Sequence, residues 1–97
     1  MPSGTELKRQ TSYLEVTFRR GQPLAAYLYL PRKPGEKSHR TSRIEPGLVV
    51  DFSDSGLPIG IEITAPAKTT LAILNQVLED LGEAPLSEAD LAPLHAA

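Results

Sequence analysis

The chain has 97 residues, five aromatic side chains, no cysteine, no tryptophan and a formal net charge of −2. This length supports one domain with a core of its own, built mostly of Leu, Ile, Val and Ala. The absence of cysteine excludes disulfide frameworks, zinc–thiolate sites and thiol redox chemistry.

The first stretch, MPSGTELKRQTSYLE, lacks the apolar centre of a signal peptide, and no later run has membrane-spanning length. A soluble cytoplasmic protein is expected, with residues 1–12 as a flexible N-terminus. From 13 to 19 the sequence alternates, with Leu14, Val16 and Phe18 on one side and Tyr13, Glu15 and Thr17 on the other. That is the period of a half-buried strand. After the turn residues RGQP, the segment 23–30 reads as its hairpin partner. Pairing Phe18 with Leu24, Val16 with Ala26 and Leu14 with Leu28 keeps one apolar face.

Residues 31–40, PRKPGEKSHR, combine prolines, a glycine and cations, the composition of an exposed mobile loop. TSRIE at 41–45 is a weak strand followed by a Pro46-Gly47 turn. Residues 47–52 and 58–64 give the strongest strand signals. A two-residue loop at Ser55-Gly56 pairs Phe52 with Ile59, Val50 with Ile61 and Leu48 with Ile63, and a four-residue loop also satisfies the match.

The same stretch, DFSDSGLPIGIE at 51–62, has an acid first, Gly56 sixth and Glu62 twelfth, the skeleton of a calcium-binding EF-hand loop. Such loops lie between helices. The flanks here have period two and β-branched residues, and only Asp51 and Glu62 bring charge, diagonally placed roughly 7 Å apart by strand geometry. The hairpin reading is preferred, and no metal ion or cofactor is assigned.

Beyond Pro66 the period changes. Leu71, Leu74, Leu78 and Leu81, with Ile73 and Val77 alongside, form one helical stripe over 71–81. Thr69 or Thr70 is placed to cap it, and Gly82 to end it. Ser87 with Asp90 starts a second short helix, limited by Pro93. The resulting fold class is α+β: a mostly antiparallel meander sheet of four to five strands with a C-terminal helix packed on one face. Residues 13–82 form the domain, and 83–97 a C-terminal extension with a short helix.

Residues 44–64, IEPGLVVDFSDSGLPIGIEIT, preceded by AAYLYLP at 25–31, resemble the small uncharacterised bacterial proteins grouped as domain of unknown function 2283. The matching positions are Pro46, Gly47, Asp51, Phe52, Asp54, Gly56, Gly60, Ile61 and Glu62, and the resemblance spans about 13–65. The link at 31–43 is longer and more basic than the family pattern, and the helical tail from 66 onward lies outside it. The resemblance implies a compact β-sheet domain without established activity, and for some members a toxin–antitoxin-type regulatory setting. It supplies no catalytic residues.

Candidate chemistry is sparse. His39 and His95 fall in a loop and near the C-terminus and read as solvated, short of the converging ligands a metal needs. Ser38 beside His39 sits on a poor platform for a nucleophile, and Asp51 with Glu62 reads as a solubilising pair, so no catalytic residue is assigned. The non-core sheet face is more informative. It carries Tyr13, Tyr27, Tyr29 and Val49, with Thr17, Ala25 and the acids, a composition suited to a homodimer or partner interface unless 83–97 folds over it. Gly60 in that face points to a bulge or a close backbone approach.

Charge is polarised along the chain: nine Lys/Arg against three acids in 1–43, and one Lys against nine acids in 44–97, so +6 is followed by −8. Arg32, Lys33, Lys37, Arg40 and Arg43 are the candidates for an anion or nucleic-acid edge. No Lys/Arg run exceeds two residues, and a solvated loop is the simpler reading. The leading expectation is therefore a non-catalytic protein-interaction module, homo-oligomeric or bound to a small protein partner. A nucleic-acid or anion binder using the 31–43 loop is second, and a small hydrolytic enzyme third.

Overall fold

The computed structural model describes residues 12–31, 36–45 and 47–95. Its centre is a five-stranded antiparallel sheet built from β1 (Tyr13–Arg19), β2 (Gln22–Tyr29), β3 (Arg40–Glu45), β4 (Leu48–Phe52) and β5 (Pro58–Ile63). Helix α1 (Leu71–Asp80) and helix α2 (Glu88–Leu91) follow, with 3-10 turns at Pro66–Lys68 and Ala92–His95. The α+β class and the antiparallel sheet expected from the sequence are present. Among the described residues no helix is long and apolar enough to cross a membrane.

The strand order is β1-β2-β5-β4-β3, which is a hairpin joined to a three-strand meander rather than one continuous meander. The reason lies in polarity. β5 carries Ile59, Ile61 and Ile63, all buried, and takes the centre, whereas the polar RTSRIE strand takes an edge. The start of β3 thus lies three strand spacings from the end of β2, about 14 Å.

Both hairpins hold the expected register in their bodies and depart from it at their turns. Val16 pairs with Ala26 and Leu14 with Leu28, but Phe18 faces Pro23 instead of Leu24. Arg20 and Gly21 form a two-residue turn with φ of 53° and 79°, the conformation of a type I′ hairpin. That turn and the apolar register are one residue out of step, so Leu24 is left over as a bulge. Phe18 and Leu24 consequently lie 48% and 52% exposed rather than in the core.

In the second hairpin Val50 pairs with Ile61 and Leu48 with Ile63, while Phe52 faces Pro58 rather than Ile59. The turn is a three-residue Asp54-Ser55-Gly56 loop, neither the Ser55-Gly56 pair nor the four-residue loop expected. Gly56 N–H donates to Ser53 O at 2.9 Å and Ser53 N–H to Leu57 O at 2.8 Å. Gly56, at φ 86°, takes the left-handed position that this turn requires. Again one residue is in excess, and Ile59 absorbs it. Strands rather than helices flank Asp51–Glu62, so the EF-hand arrangement is ruled out.

The apolar face of the sheet packs beneath the C-terminal segment. Leu28, Val50, Ile61 and Ile63 are fully buried together with Leu74, Val77 and Leu78 of α1. Leu71 and Leu81 are half-buried, and Ile73 faces solvent, outside the stripe expected of it. Thr70 caps α1, accepting from Ile73 N–H at 3.2 Å. At the other end, Glu83 N–H reaches Leu78 O and Gly82 N–H reaches Glu79 O, closing a Schellman motif.

Leu91 and Leu94 belong to the same core cluster, so residues 83–95 cover the apolar face and not the tyrosine face. Asn75 holds the connecting segment: its amide donates to Leu86 O at 3.0 Å and accepts from Leu86 N–H at 2.8 Å. Ser87 and Asp90 close a capping box at the start of α2. Hydrogen bonds from the Ser87 N–H and hydroxyl hold the Asp90 carboxyl below the ordinary carboxylate range. His95, expected to be loose, has its Nε2 2.8 Å from Thr69 O.

Candidate functional site

Cross-strand pairing places the non-core face in two rows. One runs Glu15, Tyr27, Glu62, Val49, Arg43 across β1, β2, β5, β4 and β3. The adjacent row runs Tyr13, Tyr29, Gly60, Asp51, Thr41 in the same order. All four interface candidates, Tyr13, Tyr27, Tyr29 and Val49, are thus brought onto one surface.

The tyrosines form a connected set. Tyr13 and Tyr29 stack with centroids 4.6 Å apart, and Tyr27 meets Tyr29 edge-on at 4.7 Å, geometries that aromatic quadrupoles favour. The Tyr27 hydroxyl donates to Asp51 Oδ2 at 2.7 Å, and the Tyr29 hydroxyl to Glu15 Oε1 at 3.1 Å. Tyr27 reaches Asp51 by lying across Gly60, where any Cβ would overlap its ring. Gly60 therefore serves the close approach that its position in a strand suggested. Asp51 and Glu62 share the face, but Asp51 is tied to Tyr27 and the two carboxylates form no described pair.

The cations do not converge in this way. Arg40 sits over the Phe52 ring at 4.2 Å from its centroid, a cation–π contact. Arg43 is exposed opposite Val49, and Lys37 is exposed in the link. Arg32 and Lys33, like Pro46 of the family pattern, lie outside the described residues. Among the described residues no group of three or more His, Asp or Glu is placed to hold a metal ion.

A cleft of about 450 Å³ lies between the start of β1 and the 83–93 segment, lined in part by Tyr13, Leu14, Leu28, Glu83, Pro85 and Asp90. It offers few polar groups, and the Asp90 carboxylate is already committed to the Ser87 cap. The tyrosine face, with its aligned rings and carboxylates, is the better candidate. Sequence reasoning missed two polar positions: Asn75, and Ser53, which is buried in the hairpin turn with its hydroxyl 2.8 Å from that of Ser55. No protein family model, curated protein or solved structure matches the chain.

Proposed function

We propose that this chain is a non-catalytic protein-interaction module whose tyrosine face takes up a basic segment of a partner protein. One observation carries the reading: Tyr29 is packed against both Tyr13 and Tyr27, with the Tyr29 hydroxyl tied to Glu15 and the Tyr27 hydroxyl to Asp51. Rings fixed in this way lose little freedom when a partner binds. Arg or Lys side chains find both ring faces for cation–π contact and the carboxylates of Glu15 and Glu62 for ion pairing.

The biological setting we propose is a toxin–antitoxin-type regulatory pair, through kinship with domain of unknown function 2283. The positions of the 44–64 pattern support that kinship by having structural work to do. Gly56 forms the turn, Gly60 lies under Tyr27, and Asp51 receives the Tyr27 hydroxyl.

The test is fluorescence anisotropy with a labelled Arg/Lys-rich peptide. The expected result is saturable binding, weakened about tenfold or more by Tyr29→Ala and by Glu62→Lys and unchanged by Lys37→Glu. Binding of a single-stranded oligonucleotide instead, lost on Arg40→Glu or Arg43→Glu, would replace this reading with the anion-binding one.

A further inference from the structure

The two edges of the sheet are protected unequally. β3 carries Arg40 and Arg43 and is interrupted by a bulge at Ile44, both common ways of discouraging edge pairing. β1, sequence YLEVTFR, has no proline, carries one charge of each sign in Glu15 and Arg19, and its own residues are consecutively paired with β2 without a skip. Among the described residues β2 is the one strand bonded to it. Three of the six large apolar side chains exposed among the described residues, Tyr13, Phe18 and Leu24, sit on this hairpin.

The hydrogen-bonding parity of β1 follows from its neighbours. Leu30 N–H donates to Ile59 O, so the even-numbered residues at the end of β2 face β5 and the odd-numbered ones face β1. Tyr13, Glu15 and Thr17 pair with odd-numbered residues of β2. The N–H and C=O groups of Leu14, Val16 and Phe18 therefore point outward along the open edge.

We infer that β1 pairs antiparallel with β1 of a second copy, about a two-fold axis at Thr17, joining two sheets into one. In this register Val16 and Phe18 of the two copies exchange main-chain hydrogen bonds. Thr17 faces Thr17 of the copy, and Glu15 faces Arg19 twice, once on each side of the axis. A threonine pair, β-branched–aromatic pairs and opposite-charge pairs are the cross-strand combinations that stabilise a sheet. The strand is thus complementary to itself in charge and in shape, which is the requirement of an isologous interface. The inference rests on the β1 edge; of its charged pair, Glu15 also belongs to the tyrosine face, whereas Arg19 is no part of the proposed peptide site.

Light scattering after size exclusion, run over a concentration series on the full chain, tests it together with amide exchange. The expected result is a species of twice the 10.5 kDa chain mass, with the Val16 and Phe18 amides protected in it and unprotected on dilution. Glu15→Arg and Arg19→Glu should each weaken the dimer by about tenfold, and the double swap should restore it. A concentration-independent monomer overturns the inference. So does a dimer in which Val16 and Phe18 exchange freely, whether or not the variants fold. Peptide binding at the tyrosine face is read separately by anisotropy: Arg19→Glu should weaken the dimer and leave peptide binding intact, whereas Glu15→Arg should weaken both, so the two proposals fail distinguishably.

Discussion

Tyr27 and Asp51 are hydrogen-bonded across an intervening strand, and the ring of Tyr27 passes over Gly60 to make the contact. Gly60→Ala should push the ring away, breaking the bond to Asp51. A loss of about 1–2 kcal/mol in urea unfolding is expected. The same substitution in a Tyr27→Ala background should cost much less, because the overlapping ring is gone. Equal costs in the two backgrounds would show that the ring is not what excludes a side chain at 60.

Leu94 lies after a proline and beyond the domain boundary expected at 82, yet it is buried in the main cluster. Leu94→Ala should therefore destabilise the whole fold by about 2–5 kcal/mol in a single cooperative transition. A neutral effect would mean that the 83–95 segment is a separable appendage.

Asn75 supplies both hydrogen bonds to the backbone of Leu86. Asn75→Ala leaves that N–H and C=O without partners, a cost of about 2 kcal/mol. Hydrogen exchange should rise first across 83–95, while the amides of β5 remain protected. Uniform acceleration would argue against a local clamp.

The capping box of α2 sets a pH dependence. Asp90 titrates below the ordinary carboxylate range because the Ser87 N–H and hydroxyl favour its charged form. A pKa lowered by folding contributes stability above the unfolded value and loses it as pH falls through the folded one. Compared with Asp90→Asn, the natural chain should keep its advantage at neutral pH and lose it only in that acid window. An advantage independent of pH down through the window would exclude the charged cap as its source.

Arg20 holds a left-handed backbone angle, φ 53°, in the first turn. Asn accepts this conformation more readily than Arg, so Arg20→Asn should raise stability by about 0.5–1 kcal/mol, read from the urea midpoint. A loss instead would mean that the Arg20 side chain contributes more than its backbone costs.

Much of this fold was legible in the sequence because alternation and helical period report burial directly. The bodies of both hairpins and α1 follow from Leu, Ile and Val spacing. Apart from Ile73, which turns to solvent on α1, the misplaced residues share one cause. Leu24 and Ile59 each absorb the extra residue where a turn falls out of step with the apolar face. Alternation alone assumes no such slip. Asn75 was illegible for another reason, since a lone polar residue on a helix does not announce a backbone partner eleven positions away. The tyrosine face was readable as a set from strand parity, whereas the reach of Tyr27 to Asp51 needed the β2–β5–β4 order.

The most direct test of the interaction-face proposal is an NMR titration of the isotope-labelled chain with the Arg/Lys-rich peptide and, separately, with a single-stranded oligonucleotide. The expected result is peptide-induced shifts concentrated at Glu15, Tyr27, Tyr29, Val49 and Glu62, with the oligonucleotide causing none there. Shifts confined to Lys37, Arg40 and Arg43, driven by the oligonucleotide, would contradict it.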